Sequence, residues 1–474
     1  MSEAWELGIA EAARQLRRRQ LGSVELLDSV LARLGETEDY ARAWAYVDEH
    51  GAREAARRAD ALASSGAFDG VLHGIPLGVK DVIDVRGLPT EAGSASLKGN
   101  LAKADAGVVA QLRGSGAVIL GKLETHEFAF GQGTPPTRNP RDPERYAGGS
   151  SVGSGVAVAV GSAPGALGTD TGGSIRNPAA VNGLVGLKPS AGVVASTGVL
   201  NVSHTLDHVG PIARSVEDCA LMLDGMAEAK GLELVGGPLL GRIERLPSSL
   251  RLGVDRRIWS DWSVSAGVAA AVEDALAVLA GLGLEIVDLS IPELDMALPA
   301  SLAISLSESV EHHRARLGAA AELYLPATRV MIETGALVSG QEVHLARHAR
   351  EYLKVFLADA MDRAGVVALV SPTLPTIAPR ISSMTSELTA ASGEESLSSA
   401  LRMLASANLT GMPALSIPCG LVDGQPVGLH LMGRMFSEAN LFAIAHAYEC
   451  ATPWHQDVPV RTLPEVGAAT AATR

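Results

Sequence analysis

The spacing of apolar positions changes near residue 70 and divides the chain into two parts. In the first part, apolar side chains recur at helical intervals on one face, at Leu26, Leu27, Val30, Leu31 and Leu34. Ser23 is suited to cap this helix, and Gly35 is suited to end it. We therefore predict that residues 1–70 form a helical segment that packs on the core of the protein.

From His73 onward, short apolar strands alternate with helices and glycine-rich turns. A first strand precedes Lys80, and a second series begins after about residue 230, with a long charged helix near 341–364 and late strands near 414–417 and 427–431. Strands that alternate with helices predict parallel pairing within one α/β sheet. We expect a mixed central β-sheet of about ten or more strands surrounded by helices, in one domain over residues 71–464.

Composition agrees with one large core. The chain has 474 residues, and 47% of them are hydrophobic while 19% are charged, which disfavours disorder. The stretch 380–400 is rich in Ser, Thr and Glu and predicts a surface loop or lid. The Ala- and Thr-rich tail, residues 465–474, is predicted to be disordered.

Charge and cysteine content exclude several classes of function. The net charge of −14 and the lack of a basic stripe disfavour a nucleic-acid partner. Cys219, Cys419 and Cys450 form no CxxC pair, lie in apolar contexts, and are expected to be buried hydrophobes rather than disulfide or zinc ligands. We find no signal peptide and no apolar run of membrane-spanning length, so we expect a cytoplasmic protein without a membrane partner.

Two short motifs suggest other functions but lack the context that those functions need. Residues 116–122 are close to a phosphate-binding loop, yet Leu123 stands where that loop requires Ser or Thr. Residues 149–153 fit G-x-S-x-G with Ser151 at the centre, the nucleophile elbow of α/β-hydrolases, which must follow a buried strand. A polar, proline-containing stretch precedes it instead. We assign neither nucleotide binding nor a nucleophilic Ser151.

Two glycine- and serine-rich segments carry the strongest chemical signal. They are AGGSSVGSG at 147–155 and GTDTGGSIR at 168–176, and Ser174 follows Ser150 by 24 residues. These segments resemble the amidase signature family, as do 72–81 upstream and 186–189, 207–211, 371–373 and 411–414 downstream. Val152 departs from the small residue that relatives usually carry there.

The resemblance implies that Ser174 is the nucleophile, that Ser150 is a bridging serine preceded by a cis peptide bond, and that Lys80 is the base. A serine hydroxyl is a weak nucleophile near neutral pH and needs a base within hydrogen-bond reach. Burial disfavours the ammonium form and lowers the pKa of a lysine, so a buried Lys80 can accept a proton.

The residues between these serines predict how a reacting carbonyl is held. The run 171–174 supplies successive backbone N–H groups with little side-chain bulk, which suits an oxyanion hole formed by Thr171, Gly172, Gly173 and Ser174. Asp170 and Arg176 are predicted to be a structural pair that braces this loop. The residues that bind the rest of the substrate are unknown from the sequence.

The resemblance implies hydrolysis of a linear carboxamide, a small or aryl amide or a related hydrazide, carbamate or ester, through an acyl-serine intermediate. The expected partner is a small-molecule amide, and a homodimer is a candidate assembly. The alternative is the glutaminase (amidase) subunit of a tRNA-dependent amidotransferase complex, although we find no glycine-rich stretch with the glutamine-binding arginine that such subunits carry.

No metal or organic cofactor is expected. His312 and His313 are adjacent in the sequence, and the pair His344 and His348 lacks the glutamate of an HExxH zinc site.

Overall fold

The computed structural model describes residues 3–130, 135–247, 250–384 and 397–457. Within them, eleven strands form one sheet. The strands are β1 Trp44–Val47, β2 Pro76–Lys80, β3 Val118–Leu123, β4 Gly165–Asp170, β5 Val185–Lys188, β6 His208–Ala213, β7 Arg251–Val254, β8 Glu285–Asp288, β9 Ala368–Pro372, β10 Ala414–Val422 and β11 Gln425–Gly433.

The strand order is β1-β3-β2-β4-β6-β5-β10-β11-β9-β7-β8. Pairing is parallel at β3-β2-β4 and at β9-β7-β8. It is antiparallel from β4 through β6, β5, β10 and β11 to β9, and again between β1 and β3. The mixed sheet of ten or more strands is thus confirmed. Parallel pairing, which the sequence predicted, is confined to β3-β2-β4 and β9-β7-β8, because the strands at the centre of the sheet run antiparallel to their neighbours.

Helices cover both faces of the sheet. The helices of the described residues are α1 Ile9–Arg17, α2 Ser23–Ala41, α3 Glu49–Ser64, α4 Gly107–Gly114, α5 Val152–Val160, α6 Arg176–Asn182, α7 Val216–Met226, α8 Ala229–Leu234, α9 Arg257–Asp261, α10 Ala266–Gly281, α11 Ala297–Ala320, α12 Pro326–Gly335, α13 Gly340–Ala364, α14 Ile381–Met384, α15 Leu397–Thr410 and α16 Glu438–Ala451. Every residue of α5 is buried, which fits its apolar sequence.

The α2 helix departs from the predicted bounds at both ends. Its N-cap is Gly22, and Ser23 is the first helical residue, whose hydroxyl donates to the Gly74 carbonyl oxygen 2.9 Å away. Gly35 lies inside the helix, which continues to Ala41. A mid-helix glycine costs about 1 kcal/mol relative to alanine, and burial of later residues such as Tyr40 outweighs that cost.

The first 70 residues are attached to the sheet both by packing and by a strand. The main-chain N–H of Ala10 donates to the Asp218 carboxylate at 2.8 Å, and the Arg214 guanidinium donates to the carbonyl oxygen of Trp5 at 3.0 Å. The strand β1 pairs with β3. The sequence analysis predicted the packing but not this strand, and the boundary near residue 70 stays a prediction.

Two predicted segments fall largely outside the described residues. The ends of the stretch 380–400 are helical, in α14 and α15, and residues 385–396 between them lie outside the described residues. The tail 465–474 also lies outside them. In the part of the chain that is described, no helix combines the length and apolar character needed to cross a membrane.

The strand β10 provides a direct test of what the sheet contributes to stability. Leu415 is fully buried between partners on both neighbouring strands, whereas Leu421 on the same strand is 44% exposed. We expect Leu415→Ala to lower the free energy of unfolding by about 2–5 kcal/mol, because it leaves a cavity. Leu421→Ala should change it by about 0.5 kcal/mol or less. Urea unfolding followed by circular dichroism measures both, and equal effects would contradict the assigned register.

Candidate active site

Lys80 is the last residue of β2, and its side chain is fully buried. Its Nζ atom lies 2.8 Å from the Ser150 hydroxyl oxygen and 2.8 Å from the Thr169 hydroxyl oxygen. Burial lowers the pKa of Lys80 to about 7, although the negative charges of Asp207 and Asp170 act in the opposite direction. A large fraction of Lys80 is therefore neutral near neutral pH and can accept a proton.

A cis peptide bond and hydrogen bonds to its carbonyl oxygen hold the main chain of Ser150 in place. The Gly149–Ser150 peptide bond is cis. The Ser150 carbonyl oxygen accepts from the main-chain N–H of His126 at 3.2 Å and from the Thr125 hydroxyl at 3.1 Å. A Cβ atom on Gly149 would lie 2.4 Å from the Tyr146 hydroxyl and 2.5 Å from His126 Nε2, so only glycine fits there. These contacts direct the Ser150 hydroxyl toward Lys80.

Ser174 lies in the bend between β4 and α6 and is partly buried. Its carbonyl oxygen accepts from the main-chain N–H of Ser151 at 3.4 Å, which brings it beside the residue that follows Ser150. Within the described residues, no hydrogen bond joins the Ser174 and Ser150 hydroxyls. The Lys80–Ser150 hydrogen bond is thus formed and the Ser150–Ser174 hydrogen bond is not, and catalytic hydrogen bonds can tighten when substrate binds.

The predicted oxyanion run is a tight turn whose N–H groups have different partners. The N–H of Gly173 donates to Asp170 Oδ1 at 2.7 Å, so it can serve an oxyanion only if that bond opens. Among the described residues, the N–H groups of Thr171, Gly172 and Ser174 make no hydrogen bond within the protein. Gly173 has a φ of +121°, a conformation that favours glycine. The turn therefore presents three N–H donors and uses the fourth to keep its shape.

A buried ion pair fixes this turn, which confirms the predicted brace. The Arg176 guanidinium donates from Nε and Nη2 to the two oxygens of Asp170, each at 3.0 Å. Both side chains are fully buried. Burial alone would raise the pKa of Asp170, but the charge and hydrogen bonds of Arg176, together with Asn408, hold it well below its usual range. Arg176 also donates to His430 Nε2 at 3.0 Å.

Sequence reasoning missed three groups that lie around Lys80, Ser150 and the 171–174 turn. Thr169 contacts the Lys80 amine, Asp207 accepts from the Thr171 hydroxyl at 2.6 Å, and the Thr125 side chain holds Ser150. Thr169 lies in β4 and Asp207 lies just before β6, both inside segments that resemble the family, so their place in those segments was the available signal. The residue type alone does not show which group the side chain faces.

The two motifs that resemble a phosphate-binding loop and a nucleophile elbow have structural roles. Lys122, in the run 116–122, lies in β3 and donates to Asp81 Oδ1 at 2.8 Å. Ser151 is the N-cap residue of α5, and its hydroxyl donates to the Thr169 carbonyl oxygen at 3.2 Å. No strand precedes Ser151 over the described part of 139–145. Neither motif therefore has the geometry of its namesake.

The described ranges also show where the histidine, cysteine and acidic side chains lie. These ranges contain no group of three or more His, Cys, Asp or Glu side chains placed to hold a metal ion. Cys219 and Cys419 are buried as predicted, but Cys450 is exposed. The apolar context of Cys450 was misleading because it lies near the end of α16, on the face that points away from the core.

The comparisons with known proteins agree with this geometry. The sequence profile of the Amidase family matches residues 25–442, and the chain belongs to this family. An amidase from Pseudomonas putida is 38% identical and is aligned over 97% of this chain and 99% of its own length. The glutamyl-tRNA(Gln) amidotransferase A subunit of Roseiflexus castenholzii is 37% identical over 97% of this chain and 98% of its own length.

A similar solved structure supports the fold. The native peptide amidase from Stenotrophomonas maltophilia superposes with a TM-score of 0.81 at 29% identity, over 94% of this chain and 97% of that chain. The fold class and the amidase character of the enzyme are therefore shown, while the roles of individual residues here rest on the geometry above.

The Asp170–Arg176 pair provides a test of the brace. We expect Arg176→Ala to lower the free energy of unfolding by about 3–5 kcal/mol, because it leaves the buried Asp170 charge without its partner. Since the folded-state pKa of Asp170 is lowered, the pair stabilises the protein above the unfolded-state pKa and loses this effect as pH falls through the folded-state pKa. Urea titrations at several acidic pH values measure both trends.

Arg363→Ala is the matched control for this test. Arg363 pairs with Asp359 on the protein surface, with side chains 64% and 54% exposed, and its loss should cost about 0.5 kcal/mol or less. A cost for Arg176→Ala as small as that of the control would show that Asp170 does not depend on Arg176.

Proposed function

We propose that this protein hydrolyses linear carboxamides through an acyl-enzyme on Ser174, with Ser150 and Lys80 carrying the proton. The observation that supports this most strongly is the buried Lys80 amine, 2.8 Å from the Ser150 hydroxyl oxygen, with a pKa near 7. A serine nucleophile needs a base within hydrogen-bond reach. Where no histidine is present, a neutral amine in contact with a hydroxyl can be that base.

The proton moves through two hydroxyl groups. Lys80 takes the Ser150 proton as Ser150 takes the Ser174 proton, and the Ser174 oxygen attacks the amide carbon. The N–H groups of Thr171, Gly172 and Ser174 stabilise the resulting oxyanion, with Gly173 as the fourth donor of the run if its bond to Asp170 opens. The proton then returns through Ser150 to the departing amine. In the second half, water attacks the acyl carbon while Lys80 takes its proton through Ser150. The ester bond to Ser174 breaks, and the proton returns to the Ser174 oxygen as the acid leaves.

The surface beside the turn favours apolar substrates. A Cβ atom on Gly173 would lie 2.2 Å from Leu404 Cδ1, and one on Gly172 would lie 3.1 Å from Leu401 Cδ2. Helix α15 therefore places leucine side chains directly against the proposed oxyanion donors. We propose a small or aryl amide as substrate, with hydrazides, carbamates and esters as related leaving-group classes.

A second candidate function is supported by the relatives. The match to the Roseiflexus castenholzii amidotransferase protein covers nearly all of both chains, at an identity close to that of the Pseudomonas putida amidase. In that case the same triad would release ammonia from glutamine inside a larger complex that acts on glutamyl-tRNA. The net charge of −14 does not argue against this candidate, since a partner subunit could hold the tRNA.

Both candidates have the same expected location. The described cysteines are all free thiols, which is usual in a reducing compartment. We propose that the enzyme acts in the cytoplasm.

Acylation of Ser174 tests the shared chemistry. We expect a fluorophosphonate probe to modify Ser174, because it alone follows the glycine turn that holds the oxyanion donors, and Ser174→Ala should abolish both labelling and turnover. Peptide mass spectrometry locates the adduct. Labelling of Ser151, which is fully buried in this structure, would contradict the assignment.

The substrate profile of the purified chain alone separates the two candidates. A free-standing amidase should hydrolyse aryl and short aliphatic amides without partners and show little preference for glutamine. Activity on glutamine alone, rising when the other components of an amidotransferase complex are added, would favour the second candidate.

The pH dependence tests the role of Lys80. Only neutral Lys80 can accept a proton, so kcat/KM should rise with pH through about 7, the pKa of Lys80. Lys80→Met keeps the side-chain length and should lower kcat/KM by about 10³-fold or more, in line with loss of a positioned base and its nucleophile. Lys80→Arg should be no more active, because guanidinium stays charged.

The variants decide this test, because a histidine base would titrate in the same pH range. The rates are measured from pH 5 to 10 for the wild type and both variants, after their folding has been verified by circular dichroism. A Lys80→Met enzyme that kept most of the rate and the same rising limb would rule out the Ser–Ser–Lys mechanism.

A further inference from the structure

Asp207 lies just before β6 and holds the first residue of the oxyanion turn. Its Oδ1 atom accepts from the Thr171 hydroxyl at 2.6 Å. Its Oδ2 atom accepts from the main-chain N–H groups of Val202 at 2.9 Å and Ser203 at 3.2 Å. Both oxygens of the carboxylate therefore have defined partners, and one of those partners belongs to the proposed active site.

The turn is held by a carboxylate at each end. Asp170 accepts from the N–H groups of Gly173 at 2.7 Å and Ile175 at 3.2 Å. Asp207 holds the opposite end through the Thr171 side chain. Asp170 is neutralised by Arg176, whereas the partners of Asp207 are a hydroxyl and two main-chain N–H groups. Because its hydrogen-bond partners are neutral, the negative charge of Asp207 acts more strongly on neighbouring groups than that of Asp170.

The neighbouring group that matters is Lys80. Burial lowers the pKa of Lys80 to about 7, and the largest effect in the opposite direction comes from Asp207, followed by Asp170. Burial in turn raises the pKa of Asp207 to about 6. The two groups are linked through the end of β4, since Thr169 contacts the Lys80 amine and Thr171 contacts Asp207. At pH 8, the ionised Asp207 therefore acts on an amine that becomes an ammonium ion when it accepts the proton of the serine.

Hydrogen bonds to a residue of α11 fix the loop that carries Asp207. Glu308 of α11 is buried, and its carboxylate accepts from the hydroxyl of Ser203 at 2.5 Å and from that of Thr205 at 2.9 Å. The loop is thus tied to α11 on one side and to the turn on the other.

The charged and titratable groups near Asp207 and its loop come from several elements. On α13, Arg347 lies 4.0 Å from Glu308, and Arg350 donates to the Thr205 carbonyl oxygen at 3.0 Å. Beyond Glu308, the strands β2 and β4 contribute Lys80 and Asp170, and the loop and β6 contribute His204 and His208. His208 is buried, and burial keeps its pKa well below the usual value, so it is neutral at pH 8.

We propose that Asp207 is a positioning residue of the hydrolytic reaction, which orients the oxyanion donors through Thr171 and stabilises the Lys80 ammonium ion as it forms. The inference rests on the proposed function, because it assigns Asp207 to the same proton transfer. This role differs from a purely structural one because the reaction rate depends on the charge of Asp207 as well as on its shape.

Two substitutions separate the charge from the hydrogen bond. Asp207→Asn removes the charge and keeps one oxygen that can accept from Thr171, but its NH2 group then faces the main-chain N–H groups of Val202 and Ser203, which lose their acceptor. Thr171→Val keeps the charge and removes the hydrogen bond with little change in volume. The readouts are kcat and kcat/KM for hydrolysis of an aryl amide, measured from pH 5 to 10, with thermal unfolding to verify the fold of each variant.

We expect Asp207→Asn to move the rising limb of kcat/KM to lower pH, because an amine without a nearby negative charge loses its proton more easily. We also expect kcat on the alkaline plateau to fall by about tenfold or more, toward the effect of losing an oxyanion donor. Thr171→Val should lower kcat by a similar factor, with the limb unmoved. Asp359→Asn, which removes an exposed charge on α13, should change neither.

Three outcomes would overturn the inference. They are an unmoved limb with kcat within about twofold of the wild type for Asp207→Asn, a limb that moves to higher pH, or an unchanged kcat for Thr171→Val. Should Asp207→Asn fail to fold, Thr171→Val decides the positioning role alone. A wild-type enzyme that is not acylated on Ser174 would instead contradict the proposed function, so the two failures are distinguishable.

Discussion

A lysine amine without a water shell is the constraint on which the rest of the structure depends. Lys80 is fully buried, and hydroxyl groups are its hydrogen-bond partners. An ammonium ion in that position is costly, so the proton affinity of the amine falls to a range where it can act as a base. Access of water or a directly bound carboxylate would remove this property, which requires β2 to be covered on both faces. The large mixed sheet and the buried helix α5 provide that cover.

Two further lysines show that burial alone does not make a base. Lys122 and Lys188 are also fully buried. Lys122 forms an ion pair with Asp81, which favours its charged form. Burial also lowers the pKa of Lys188 to about 7, but its amine donates to the main-chain carbonyl oxygen of Pro189. Of these three lysines, only Lys80 contacts Ser150; its second partner, Thr169, lies on β4, the neighbour of β2 in the sheet.

Rigid support of the turn that carries Ser174 is the second requirement. Arg176 links Asp170 to Asn408 and His430, so the turn is anchored to α15 and β11 from the far end of the chain. Oxyanion donors stabilise charge best when they do not have to reorganise. A fully buried ion pair with satisfied hydrogen bonds supplies that rigidity, although its net contribution to stability is small relative to the cost of breaking it.

The sequence by itself determined the family and many of the strands. Through the resemblance to that family it predicted Lys80, Ser150 and Ser174 as the catalytic residues, because the glycine- and serine-rich motifs and their spacing are local features. It also showed that the core would be large. It did not give the strand β1, the antiparallel centre of the sheet, the length of α2 past Gly35, or the exposure of Cys450. Tertiary structure alone decided that the Gly173 N–H serves Asp170, that Thr169 and Asp207 surround Lys80, and that α15 lies against the turn. The reason is that proton affinity and hydrogen-bond partners depend on which distant segments pack together.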